Sequence, residues 1–260
     1  MKRLLFVLST IVLFAFCSCS EPAGDPITKE FEIAGTYTEL DVSSGFNVTV
    51  SDAATQITVT TGENVMPKVV VELVGQTLRI YLKPVNVTDL YELNVVLPYN
   101  ADLKSVELSG ASSFQSDHAL HGQKAEVDLS GSSSFYCDLD ADLVDVDLSG
   151  GSTIEGNVNA LDFNLGLSGA SDATLIGQVT MLKLDLSGAS HIISRVIENK
   201  YSLVCGNCKG EISGASSAYI HCDGSINVDL SGASDLHYSG DADTSGSTTS
   251  GGSNIYHEVL

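Results

Sequence analysis

Carboxylates dominate the groups in this 260-residue chain that could do chemistry. There are 33 Asp and Glu against 12 Lys and Arg, for a formal charge of −21. Asp138, Asp140, Asp142, Asp145 and Asp147 crowd into ten residues. Polysaccharide cleavage on a β-helix would pair such a cluster with a basic residue, and no Lys or Arg occurs between Gly131 and Leu182. A solvated acidic face is the simpler reading, with a carbohydrate-active β-helix enzyme as the alternative. His118 and His121 have HxxH spacing, but no HExxH or CxxC pair completes a metal site beside them. The many Ser-Gly pairs lack a Gly-x-Ser-x-Gly nucleophile turn with a partner. No catalytic residue, cofactor or metal ligand is therefore assigned, and the chain reads as a non-enzyme.

Cys19 carries a different chemistry. Lys2 and Arg3 precede an apolar run from Leu4 to Phe16, and small residues lead into Cys19. This is a secretory signal, too short to be a good spanning helix. Phe16-Cys17-Ser18-Cys19 resembles a bacterial lipobox, in which the final Cys is acylated and becomes the mature N-terminus. Residues 1–18 are thus expected to be a lipoprotein signal peptide and 19–28 a tether. The acyl chains at Cys19 would be the only membrane attachment, placing the protein in the cell envelope, at the outer membrane or cell surface. The acidic balance repels nucleic acid.

The body must position what remains, and an internal repeat organises it. The motif Leu-Ser-Gly-small-Ser has its first Ser at Ser109, Ser130, Ser149, Ser168, Ser187, Ser213, Ser231 and, degenerately, Ser250. The intervals are 21, 19, 19, 19, 26, 18 and 19 residues. A near-constant interval is what stacking imposes on a solenoid. Val144, Val146 and Leu148 alternate with Asp145 and Asp147, and Phe163, Leu165 and Leu167 repeat the pattern one interval later. That period of two marks strands with one buried face. Apolar or small residues recur five positions after the motif Ser, from Phe114 and Phe135 to Leu236, and start a second strand. The expected fold is all-β: a flattened β-helix with about 19 residues per rung and Ser-Gly turns, spanning 102–260. Residues 29–101 are expected to form an irregular β region that starts and caps the solenoid, with a hairpin at Gly75-Gln76. The 26-residue interval implies an insertion at a turn between Ser194 and Gly206.

This register has two chemical consequences. Cys205 and Cys222 fall at nearly the same phase of adjacent rungs, so in an oxidising compartment they are the disulfide candidates, with Cys208 to Cys222 as the next choice. A CxxC redox or metal role for Cys205 and Cys208 is the rival. Glu107, Asp128, Asp147, Asp185, Glu211 and Asp229 should form one outward column, interrupted by Gly166. Such a column could bind divalent cations weakly, Ca²⁺ better than Mg²⁺.

Thr38 to Val50, Leu78-Arg79-Ile80 and the repeated Leu-Ser-Gly-Ala-Ser turns together resemble the head-GIN-domain family of auto-transporter-adhesin-like bacterial lipoproteins. That resemblance implies a pectin-lyase-like β-helix, an envelope location and a role in adhesion, and it carries over no catalytic residues. The expected function is a lipid-anchored adhesin-like or scaffold surface for a glycan or a surface protein. A purely structural envelope protein is a further alternative.

Overall fold

The structure is a computed structural model and describes residues 21–87 and 91–260. The segment expected to be a signal peptide, and Cys19, lie outside them. The chain is nearly all β, with stacked parallel coils of about 19 residues forming a solenoid of about 8 turns. Among the described residues no helix is long and apolar enough to cross a membrane.

One pair of coils shows how the sequence builds the rest. Strands Thr153–Leu167 and Asp172–Leu186 run parallel, in register from Thr153 opposite Asp172 to Leu167 opposite Leu186. Ile154, Val158 and Ala160 point inward; the alternation then breaks at exposed Leu161 and resumes at Phe163, Leu165 and Leu167. The ladder skips Leu161 and Thr180 at the same place, and this is the second bend of the coil. The inward residues of all coils join one continuous core. Like residues stack within it, as with the rings of Phe114 and Phe135, 5.4 Å apart.

The Ser-Gly motif forms the first bend. Ser112, Ser133, Ser152, Ser171 and Ser190 are buried, and each hydroxyl donates to the carbonyl of the Ser three residues earlier at 2.8 Å. The earlier Ser reaches across coils instead: the hydroxyls of Ser149 and Ser168 donate to the carbonyls of Leu129 and Leu148, both at 3.3 Å. Both hydroxyls of the motif are therefore committed to holding the backbone, which accounts for the repeated Ser without any nucleophile.

The N-terminal region stacks out of chain order. Strand Glu39–Val42 lies between Thr77–Leu82 and Ser105–Leu108, parallel to both. Asn47–Ser51 likewise lies between Asn94–Pro98 and Ser113–Gln115. The segment Glu39 to Phe46, whose Leu40-Asp41-Val42-Ser43-Ser44-Gly45 is a diverged form of the repeated turn, is thus part of an internal coil, and the later segment 77–98 stacks outside it. Antiparallel strands complete that end: Pro26–Phe31 pairs with Ile57–Gly62, which pairs with Asn94–Pro98, and Val69–Val74 pairs with Thr77–Leu82 through the Gly75-Gln76 turn. The 26-residue interval contains a projecting hairpin. Val196–Ile197 pairs antiparallel with Lys200–Tyr201 in a sheet of its own. Glu198 and Asn199 at its tip both have positive φ, 51° and 63°, as the tightest hairpin turn requires.

Candidate functional site

The acidic column is assembled by the parallel register. Asp41, Glu107, Asp128, Asp147, Gly166, Asp185, Glu211 and Asp229 are successive partners on adjacent coils. Both ends have partners, a cation at one and a hydroxyl at the other. Arg79 donates from Nε to Asp41 at 2.9 Å, and the Thr248 hydroxyl donates to Asp229 at 2.6 Å. In the middle, a shallow groove of about 420 Å³ is lined by Glu107, Asp128, Asp147, Asp185 and the first Ser of the adjoining turns. Gly166 interrupts the column, and Asp147 leans into the space it leaves, with Oδ1 where a β-carbon at 166 would sit. The gap accommodates a carboxylate that the stacked geometry would otherwise crowd.

Electrostatics follow the same geometry. Burial, with the charge of Asp147 next, raises the Asp128 carboxyl above its ordinary range. Burial, followed by Asp145 and Asp185, raises Asp147. Like charges stacked at coil spacing disfavour ionisation. The neighbouring column is relieved instead. Lys124 contacts both Glu126 and Asp145 at 3.0 Å. At Asp145 burial acts to raise the pKa, but hydrogen bonds from Asn164 and Lys124 outweigh it and the net shift is downward. Among the described residues no group of three or more His, Cys, Asp or Glu is arranged to hold a metal ion. Among these residues the column thus offers stacked negative charge without an arranged ligand set.

Three other features were not foreseen. Tyr219, His237 and Tyr256 stack outward on successive coils, with ring centroids 4.5 and 4.8 Å apart. Each stands six residues after a motif Ser, so aligning the repeats beyond the first strand would have found them. Their faces cover one another, which leaves edges rather than open platforms for a sugar ring. The second feature is a chain of contacts at the base of the hairpin. His221 Nδ1 lies 2.9 Å from Ser239 Oγ, and His221 Nε2 lies 3.3 Å from Asp223. These are the residue types of a hydrolase triad, yet Ser239 is buried and its oxygen accepts the Tyr201 N–H at 3.2 Å. The hydroxyl fastens the hairpin to the rod and presents no open side to a substrate. Third, the hairpin itself exposes Val196 and Ile197, an apolar knob on an acidic rod.

His118 contacts Asp52 at 2.8 Å and stacks on Tyr99, and His121 hydrogen-bonds the Ala119 carbonyl; the two do not converge on a common centre. Cys137, Cys205, Cys208 and Cys222 are buried free thiols here. Cys205 and Cys222 are register partners on adjacent coils.

A family model described as "Putative auto-transporter adhesin, head GIN domain" matches residues 36–242. No curated protein matches the chain. Among solved structures, one described as a putative adhesin from Parabacteroides merdae is 17% identical with a TM-score of 0.80, covering 92% of this chain and 98% of that one. A putative adhesin from Parabacteroides distasonis is 18% identical with a TM-score of 0.74, covering 92% and 97%. A protein from the same organism described as a putative lipid binding protein is 21% identical with a TM-score of 0.69, covering 92% and 98%. Identities this low establish a shared fold and nothing about ligands.

Proposed function

The chain belongs to the head GIN domain family of auto-transporter-adhesin-like proteins, and from that premise we propose that it is a non-enzymatic display surface, held in the envelope by a lipid on Cys19, that binds a neutral glycan or a surface protein. One observation carries the reading. The interior is filled by a continuous apolar core, while along the stacked parallel coils the outward positions recur at a fixed phase. The surface is therefore a set of ladders with rungs about 4.8 Å apart. A partner that itself repeats, such as a polysaccharide or an extended chain, can meet many weak contacts on a frame that costs little further ordering. The net charge disfavours polyanions and favours neutral sugars or basic protein segments.

Protease shaving of intact cells tests the display role. Loss of the protein from unlysed cells is expected; retention until lysis would leave a periplasmic, structural envelope protein as the better account. Binding is tested with the mature chain, Cys19 replaced by Ser, against neutral and anionic glycans and basic proteins. The enzyme alternative has one observation in its favour, the raised Asp147 carboxyl facing Asp185 across the Gly166 gap. Cleavage of a polysaccharide that is abolished by Asp147→Asn would establish it in place of the display role.

A further inference from the structure

Cys205 and Cys222 are directly opposed in the parallel ladder between Leu203–Ile212 and Ser217–Cys222. Both face the core, with exposures of 2% and 0%. Adjacent parallel strands bring their α-carbons to about 4.8 Å, inside the span a disulfide bridges. The Cys222 Sγ lies 3.5 Å from the Gly206 carbonyl. Cys208, by contrast, is stacked between Leu182 and Ile226, so its partners on both neighbouring coils are aliphatic. Cys205 stands between Val179 on one adjacent coil and Cys222 on the other, so Cys222 is the thiol directly opposite it.

We propose that Cys205 and Cys222 close an intercoil disulfide when the chain folds in an oxidising compartment, leaving Cys208 as a thiol packed beside it. The oxidant is a disulfide donor. The Cys205 thiolate attacks one donor sulfur and expels the other as a thiolate; the Cys222 thiolate then attacks Cys205 Sγ and expels the second donor sulfur. One S–S bond forms and one breaks, the two electrons pass to the donor, and the two protons lost by the cysteines end on the donor thiols. A neighbouring thiol in each case (Cys208 for Cys205, Cys205 for Cys222), followed by burial, raises both above the ordinary thiol range. The folded rod therefore offers almost no thiolate, so closure belongs to the folding process and the finished bond is shielded.

The test refolds the reduced mature chain, Cys19 replaced by Ser, in a mixture of reduced and oxidised glutathione. Remaining thiols are then alkylated in denaturant and the peptides mapped by mass. A Cys205–Cys222 linkage is expected, with Cys137 and Cys208 alkylated, and its reduction by dithiothreitol should be at least ~10-fold slower in the folded protein than in urea. Cys208→Ala should keep the link. A refolded chain with all four thiols alkylated, or with Cys208 in the linkage, would overturn the assignment. Mapping the unsubstituted pair decides the matter even where the Cys208 variant does not fold.

Discussion

The carbonyl oxygen of Gly150 accepts the Ala170 N–H at 2.7 Å, and it stands 2.5 Å from where a β-carbon on Gly169 would sit. Gly169 has φ of 73°, so this glycine is required twice, once by its own backbone and once by the coil beneath.

Gly169→Ala should therefore cost more than an ordinary glycine substitution in a turn. The left-handed conformation costs roughly 1–2 kcal/mol and relief of the overlap roughly 1–3 kcal/mol more. Gly75 makes the comparison: its φ is 67°, but a β-carbon there meets nothing within 4 Å. Gly75→Ala should show only the first cost in urea unfolding. Equal losses at the two sites would show that stacking does not constrain the turn.

Ser171→Ala removes a fully buried hydroxyl that donates to Ser168 and should destabilise by about 1 kcal/mol. Ser168→Ala, which loses only a longer bond to Leu148 at 3.3 Å and sits nearer the surface, should cost less. The order of the two denaturation midpoints is the readout.

Asp128 and Asp147 give a pH dependence of definite sign. Their folded pKa values exceed the ordinary 3.8, so between that value and the raised one the folded state binds more protons than the unfolded state. Their contribution is most favourable below 3.8 and is lost as pH rises through the folded pKa. Asp147→Asn should raise the melting temperature at pH 7, a stabilisation of less than about 1 kcal/mol for a group this exposed, with the gain vanishing in acid. Asp145 is depressed and behaves oppositely: its support exists above 3.8 and is lost as pH falls through its lower folded pKa. Asp145→Asn should thus lower the melting temperature at pH 7.

Salt separates screening from binding at the same column. NaCl should raise the melting temperature by screening the stacked carboxylates. If the column binds Ca²⁺ weakly, CaCl₂ at matched ionic strength should raise it further, and Asp128→Asn with Asp147→Asn should remove the excess. Identical responses to the two salts would leave the column as charge alone.

Deleting residues 195–201 restores the 19-residue interval found elsewhere. Because the hairpin pairs in its own sheet, the rod should survive with its β circular dichroism intact. The loss should be about 1–2 kcal/mol, largely from leaving the buried Ser239 without the Tyr201 N–H. A chain that no longer folds would make the hairpin part of the solenoid's nucleus.

The coil itself was legible in the residue order because each of its rules is local. Val144, Val146 and Leu148 must share a face, Gly169 must turn where a β-carbon is excluded, and the interval of 19 must recur if one coil is to lie on another. The acidic column follows from that interval by counting, which also brings Cys205 within one position of Cys222; the direct opposition of the two is set by the strand register. Alternation says which face of a strand is buried but not which strand lies beside it. The tertiary structure alone therefore placed Glu39–Val42 between Thr77–Leu82 and Ser105–Leu108, out of chain order. For the same reason it alone set Asp147 over Gly166, brought Ser239 to His221 beneath the hairpin, and surrounded Cys208 with Leu182 and Ile226. These contacts depend on side-chain direction and on neighbours distant in the chain, which no repeat interval encodes.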